Sequence, residues 1–350
     1  MASRTDRGER MQDRQALLHG IATTIDAAFG AGIADVHPLG GEFDQTFAAT
    51  TVSGSRCVVK VYPAQDVDGV RWQHRLLDQL AGSVPVAAVR RTRSGDDVVP
   101  LGDGRYLGMY SWLDGTLLAD LPSHQPGLLA DWGATAARIV IALAGAHAVG
   151  AVPATHTWDL LAAPRALTQA LPAIDVPTHR EIVDEALALF ADVVAPAAAS
   201  LPKSVVHQDL NDFNVLADPA GQLIAGVIDF ADALYTARVC EPAIAGAYAM
   251  LRKDDPVSAL AEVTAGFHRV MPLTEAELAL VFPLARVRLA VNAATWTARR
   301  AGPAKVYGQA RSQHTWRTLE QLRAIPLDTA QERIRGAIGT DSVGRTPHRP

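Results

Sequence analysis

Apolar residues recur at helical spacing from Gln15 to Phe29, which predicts an amphipathic first helix. The pattern then changes. Cys57-Val-Val-Lys-Val-Tyr62 is β-branched and aromatic and reads as a strand. Val84–Val89, Asp97–Leu101 and Arg105–Trp112 read the same way, and Val70–Leu80 between them has helical spacing. The first third is therefore expected to be a small sheet crossed by one helix. After the turn Asp114-Gly-Thr116, two long Ala/Leu-rich helices are predicted at Leu128–Ala148 and His179–Ala199. Ser204–His207 reads as a strand, followed by a polar loop and a strand–turn–strand over Gln222–Phe230. Helices are then expected at Ala243–Leu251, Ser258–Val270, Thr274–Arg300 and Arg311–Arg323. Thr274 and Glu277 have the spacing of a capping box. The expected organisation is a flexible stretch at 1–14, a β-rich lobe at 15–113, a mainly helical lobe at 114–336, and a flexible tail at 337–350.

Composition narrows this picture. The chain has 350 residues, of which 49% are hydrophobic and 20% charged, so it is expected to form packed cores. Its net charge of −5 carries no basic excess to attract nucleic acid. Two cysteines, Cys57 and Cys240, suit a reducing compartment. The N-terminal stretch has no apolar segment of secretory type, so a cytoplasmic location is expected. The apolar run Ile139–Ala146 is too short to span a bilayer, so no membrane partner is expected.

The chemistry concentrates in Val206-His-Gln-Asp-Leu-Asn-Asp-Phe-Asn-Val-Leu216 and in Ile224-Ala-Gly-Val-Ile-Asp-Phe230. Phosphoryl transfer needs a carboxylate to orient a hydroxyl and accept its proton, and oxygen ligands for magnesium. Asp209 can serve as the first. Asn214, five residues on, and Asp229 can supply the second if the hairpin returns Asp229 to the loop. His207 is expected to brace the loop by hydrogen bonds.

His207-Gln-Asp209 through Asn214, followed by Ile228-Asp-Phe230, resembles the aminoglycoside phosphotransferase and choline kinase family of small-molecule kinases. Trp158-Asp-Leu160, Asn211–Leu216, Ile228–Ala233, Thr236–Glu241 and Ala243–Leu251 are similar to its hydroxylysine kinase branch. The resemblance implies an α+β, two-lobed, protein-kinase-like fold, with ATP and Mg2+ as cofactors and a small molecule as substrate. It also implies phosphate contacts from Lys60, a nucleotide loop that includes Gly40, Gly41 and Gln45, and an adenine-receiving linker at Tyr110 and Trp112. Kinases pair the strand lysine with a helix glutamate. The helix after Lys60 has none, which leaves Asp68, or Gln73 as a neutral substitute. Gly102-Asp-Gly-Arg-Tyr-Leu-Gly108 has the wrong glycine spacing for a phosphate loop and reads as a hairpin turn.

On the substrate side, Asp212, Asp232 and Glu241 could receive an ammonium group. Arg238, Arg286 or Arg288 could receive a carboxylate, and Trp158 and Tyr235 could wall a pocket. Together these suggest phosphorylation of an alcohol on a small amine-bearing metabolite, hydroxylysine for example. An aminoglycoside or homoserine-type kinase is the alternative within enzymes, and a catalytically silent nucleotide-binding protein the alternative outside them. The sequence leaves the oligomeric state open.

Overall fold

The computed structural model describes residues 4–39, 45–148, 156–299, 312 and 314–343. The first sheet is antiparallel. Its order is β1 (Ile33–Pro38), β2 (Gln45–Thr51), β3 (Arg56–Pro63), β6 (Arg105–Ser111) and β4 (Val89–Arg90), with β5 (Val99–Pro100) also paired to β6. Alternation along β3 divides its side chains between two faces. Cys57, Val59 and Val61 join Phe47, Ala49, Leu107 and Met109 against Ile21 and Ile25 of α1 (Arg4–Phe29). The opposite face carries Val58, Lys60 and Tyr62, and Tyr62 packs with Val70 of α2 (Val67–Leu80). The central strand thus has a helix on each face, which explains its nearly continuous apolar sequence.

Two compact units are formed, one from Met1–Asp78 with Ala87–Leu113 and one from Gln79–Val86 with Asp114–Pro350. Gln79–Val86 groups with the second unit because Val227 N–H donates to the Pro85 carbonyl and Gln79 Nε2 donates to the Ala142 carbonyl.

The second unit is built on α3 (Pro126–Ala142), α4 (Ala163–Ala170), α5 (Pro177–Leu189), α6 (Ala195–Ala198), α7 (Cys240–Ala249), α8 (Pro256–Val270), α9 (Glu275–Ala298), α10 (Thr315–Arg323) and α11 (Leu327–Val343). Two small sheets are set among them. One is β10 (Ile224–Val227), β9 (Val215–Ala217) and β7 (Thr116–Leu117); the other pairs β11 (Leu234–Ala237) with β8 (Lys203–Val206). α3 and α8 meet backbone to backbone through two glycines. A Cβ on Gly133 would lie 1.8 Å from the Val263 carbonyl oxygen, and one on Gly266 would lie 1.9 Å from that of Ala130. α9 is long and apolar enough to cross a membrane, but 89% of its apolar stretch is buried inside the protein, the pattern of a core helix.

Four sequence expectations need correction. α1 begins at Arg4, so residues 4–14 of the stretch expected to be flexible are helical; apart from Gly8 they tolerate extension of a helix already nucleated downstream. The long helix from Leu128 stops at Ala142, and the helix expected over His179–Ala199 is interrupted by a π-helical turn at Phe190–Val194. Beyond Arg323, α11 runs through Val343, because Ala330 and Ile334 recur on one face and are buried. The Thr274 capping box is present, with Thr274 Oγ1 accepting from Glu277 N–H and the Glu277 carboxylate accepting from Thr274 N–H.

Candidate active site

The loop joining β8 to β9 is held by bonds that its own sequence supplies. His207 is wholly buried. Its Nδ1 accepts from Asp209 N–H at 3.2 Å, so Nε2 carries the proton donated to the Ile228 carbonyl at 2.9 Å. Burial pushes the His207 pKa down, which favours this neutral tautomer. One ring therefore ties the loop to the strand end that precedes Asp229. Asn214 adds a second tie, since its carbonyl accepts from Ile228 N–H at 2.9 Å.

Asp209 sits at the centre. Its Oδ2 accepts from Asn211 Nδ2 at 2.8 Å and from Asn214 Nδ2 at 2.9 Å, and its Oδ1 accepts from Arg288 Nη2. Asn214 Nδ2 also donates to the Asp209 carbonyl. With that nitrogen spent on Asp209, Asn214 Oδ1 is its remaining side-chain ligand atom. Asn211 was missed by sequence reasoning; an asparagine two residues after the aspartate, inside a polar loop, was the signal.

The loop is also strained. Among the described residues, the non-glycine positions with positive φ are Gln208 (66°), Asp229 (67°) and Arg252 (61°). Left-handed backbone is costly for such residues and persists where the surroundings impose it. Gln208 is pinned by its N–H to Glu241 Oε2 and its Nε2 to the Trp158 carbonyl, both 3.2 Å. Arg252 lies 3.8 Å from the Asp212 carboxylate. Asp229 takes this conformation where β10 ends, and its side chain is exposed. Asn214 and Asp229 offer oxygen donors in the small number that suits Mg2+, which keeps several waters when protein-bound. The residues therefore fit that ion, which would neutralise phosphate charge when bound.

The expected substrate ligands fare differently. Asp212 is buried beside Arg252, and Glu241 is fully buried beneath Gln208. Arg238 gives two bonds to the buried Glu277 carboxylate, at 2.7 and 2.9 Å, and a third to the Pro272 carbonyl. Arg286 lies 3.8 Å from Glu185, and Arg288 serves Asp209. Arg238, Asp212 and Glu241 are thus drawn into the fold, because a charge among apolar helices must be paired or neutralised. Glu241 takes the second course: burial pushes its pKa up to about 8 against the pull of the Gln208 and His207 N–H groups. Asp232 remains partly exposed, 3.6 Å from His156. Trp158 is buried behind Arg288, whereas Tyr235 is exposed and stacks on His147 at 4.2 Å.

In the first unit, Lys60 stands half-buried on β3, with Gly108 of β6 as its cross-strand neighbour. The space a Gly108 side chain would fill is taken by the Tyr110 hydroxyl, 3.0 Å from the ideal Cβ position. Tyr110 is therefore turned into the α2 face rather than offered by its side chain to an adenine. Its hydroxyl bonds Tyr62 and His74 at 2.6 Å each, and His74 Nδ1 meets Asp97 at 3.0 Å. Asp68 is exposed and pairs with Arg71, and Gln73 is half-buried, so the buried polar group of α2 is His74, which sequence reasoning passed over. Trp112 lies under the Arg56 guanidinium at 4.5 Å. Gln45 accepts from Arg105 Nη1 at 2.7 Å. Gly40 and Gly41 lie outside the described residues.

A buried His–x–Asp loop, an asparagine five residues on and a following aspartate, together with a lysine on the central strand of a separate sheet, define a protein-kinase-like small-molecule kinase. The chain belongs to the phosphotransferase enzyme family of aminoglycoside phosphotransferase type, whose model matches residues 35–281. It is 29% identical to the hydroxylysine kinase of Bos taurus over 290 residues, covering 74% of this chain and 76% of that one. It is 27% identical to the hydroxylysine kinase of Mus musculus over 331 residues, covering 85% and 87%. Among solved structures, amicoumacin kinase hAmiN in complex with AMP-PNP, Ca2+ and Ami aligns with a TM-score of 0.60 at 15% identity, over 93% of this chain and 97% of that one.

Proposed function

We propose that this phosphotransferase uses ATP and Mg2+ to phosphorylate the hydroxyl of a small amine-bearing metabolite, with hydroxylysine as the first acceptor to test. The observation that carries this reading is the Asp209 carboxylate, held by Arg288, Asn211 and Asn214 in a braced loop and still partly open to solvent. Its Oδ2 already accepts two N–H bonds, so Oδ1 has the lone pair for the acceptor hydroxyl. Little covalent chemistry is asked of the protein, because the transition state is loose and positioning supplies most of the rate. Asp209 orients the hydroxyl and takes its proton. Asn214 and Asp229 hold Mg2+, which when bound offsets charge on the phosphates. Lys60 pairs with those phosphates, with Gly40, Gly41 and Gln45 beside the nucleotide and Trp112 in the linker.

Hydroxylysine is supported by the two hydroxylysine kinase relatives, each aligned over more than three quarters of its own length. The charge inventory also favours an acceptor with few amines. An aminoglycoside is a polycation and calls for several exposed carboxylates, whereas Asp212 and Glu241 are buried and Asp232 alone of the three is partly exposed. A silent nucleotide-binding protein is disfavoured by the bonding around Asp209, which such a protein would not need.

A nucleotide-consumption screen across hydroxylysine, homoserine, choline, ethanolamine and aminoglycosides tests the acceptor. Hydroxylysine should give the highest kcat/KM. Efficient phosphorylation of kanamycin-like compounds, with none of hydroxylysine or homoserine, would overturn the acceptor and leave the kinase standing. Asp209→Asn should abolish turnover and spare nucleotide binding; near-wild-type turnover would remove Asp209 from its role.

A further inference from the structure

Arg288 lies in the middle of α9 with its side chain 1% exposed, between the buried residues Val287 and Leu289. A guanidinium in such a place is costly unless its charge and its donors are met. Its carboxylate partner is Asp209; among the described residues it pairs with no other at ion-pair distance. Nη1 donates to the Trp158 carbonyl at 3.1 Å, the same oxygen that accepts from Gln208 Nε2. The guanidinium carbon lies 5.1 Å from the Trp158 ring and 5.6 Å from the Tyr248 ring, so both rings confine it. Among the described residues Nε has no hydrogen-bond partner. The guanidinium is therefore fixed by three groups, the Asp209 carboxylate, the Trp158 carbonyl and the Tyr248 side chain, and of these only Asp209 is partly open to solvent.

We infer that Arg288 is the positioning residue of the proton acceptor, holding Asp209 Oδ1 in place through a guanidinium that is itself fixed by the Trp158 carbonyl. The inference rests on the reading of Asp209 given above. Asn211 and Asn214 restrain Oδ2 and Arg288 restrains Oδ1, so the carboxylate cannot rotate away from an incoming hydroxyl. It also gives Trp158-Asp-Leu160 a function. Asp159 caps the turn that follows by accepting from Leu161 N–H at 3.0 Å, and the Trp158 carbonyl is thereby presented to Arg288 and Gln208 together. Arg288 touches no substrate and acts through Asp209.

The test uses Arg288→Met and Arg288→Lys in the full chain, with kcat, KM for both substrates, Mg–nucleotide affinity by calorimetry, and Asp209→Asn in parallel. Misplacing a reacting group by about 1 Å costs on the order of a hundredfold, so Arg288→Met should lower kcat about a hundredfold with nucleotide KM and affinity within about twofold. Lysine keeps the charge but cannot span Oδ1 and the Trp158 carbonyl as a fork does, so Arg288→Lys should recover about tenfold of that loss. If Arg288→Met does not fold, Arg288→Lys alone decides, with kcat about tenfold below wild type at unchanged KM. Wild-type kcat in Arg288→Lys, or a loss shared equally by nucleotide affinity and kcat, would overturn the inference. An active Asp209→Asn would instead overturn the reading of Asp209.

Discussion

Replacing Glu241 with glutamine changes one atom beneath the Asp209 loop and removes one titration. The carboxyl is fully buried, takes the Gln208 N–H on Oε2 with the His207 N–H also acting on it, and among the described residues Oε1 has no hydrogen-bond partner. Its pKa is raised from the ordinary 4.5 to about 8, first by burial and further by the Asp209 charge. An acid whose pKa is raised by folding binds more protons folded than unfolded between those two values. Its contribution is therefore complete below about pH 4.5 and is lost as pH rises through about 8. At 1.36 kcal/mol per pKa unit, the whole loss is roughly 5 kcal/mol, with a slope near 1.4 kcal/mol per pH unit inside the window. The amide has no such slope. Its NH2 adds an offset of about 1–3 kcal/mol if it finds no partner, but that offset does not vary with pH. Urea unfolding of both proteins at half-unit steps from pH 5.5 to 8 separates the two effects. The glutamine variant should gain on wild type by about 1.4 kcal/mol per pH unit. Parallel stability curves across that range would show that Glu241 is ionised in the fold and refute the argument.

Asp229→Ala should abolish Mg-dependent nucleotide binding while metal-free binding persists; unchanged Mg–nucleotide affinity in calorimetry would remove Asp229 from the metal site. Gly133→Ala drives a Cβ into the Val263 carbonyl and should cost about 3 kcal/mol or more in thermal unfolding, whereas Gly336→Ala, with nothing within 4 Å, should be neutral or gain up to about 1 kcal/mol. Arg238→Met strips the buried Glu277 of the guanidinium that, with Thr274, holds its pKa below the usual carboxylate value against burial. It should cost about 3 kcal/mol and leave acceptor KM unchanged; a selective rise in KM for an amino-acid acceptor would return Arg238 to substrate binding.

Much of this protein is written in near-neighbour patterns. The alternation in Cys57–Tyr62 specifies a strand with Lys60 on one face, and the spacing of Thr274 and Glu277 specifies a helix start, because both follow from periods of two to four residues that the chain carries locally. The same locality makes the Asp209–Asn214 loop legible, since its bonds span two to five residues. The partners of the isolated charges were not legible. Arg238, Arg286 and Arg288 have similar surroundings in sequence, yet Arg238 meets Glu277 across 39 residues, Arg286 approaches Glu185, and Arg288 reaches Asp209 across 79. Glu241 reads as a candidate ammonium ligand until the fold buries it in the first turn of α7 beneath Gln208. His74 becomes a polar centre only when β6 brings Tyr110 and the segment before β5 brings Asp97 to the same helix face. Strand and helix periods depend on the backbone alone, whereas the fate of a buried charge depends on which distant element packs against it, and that is decided only when the cores close.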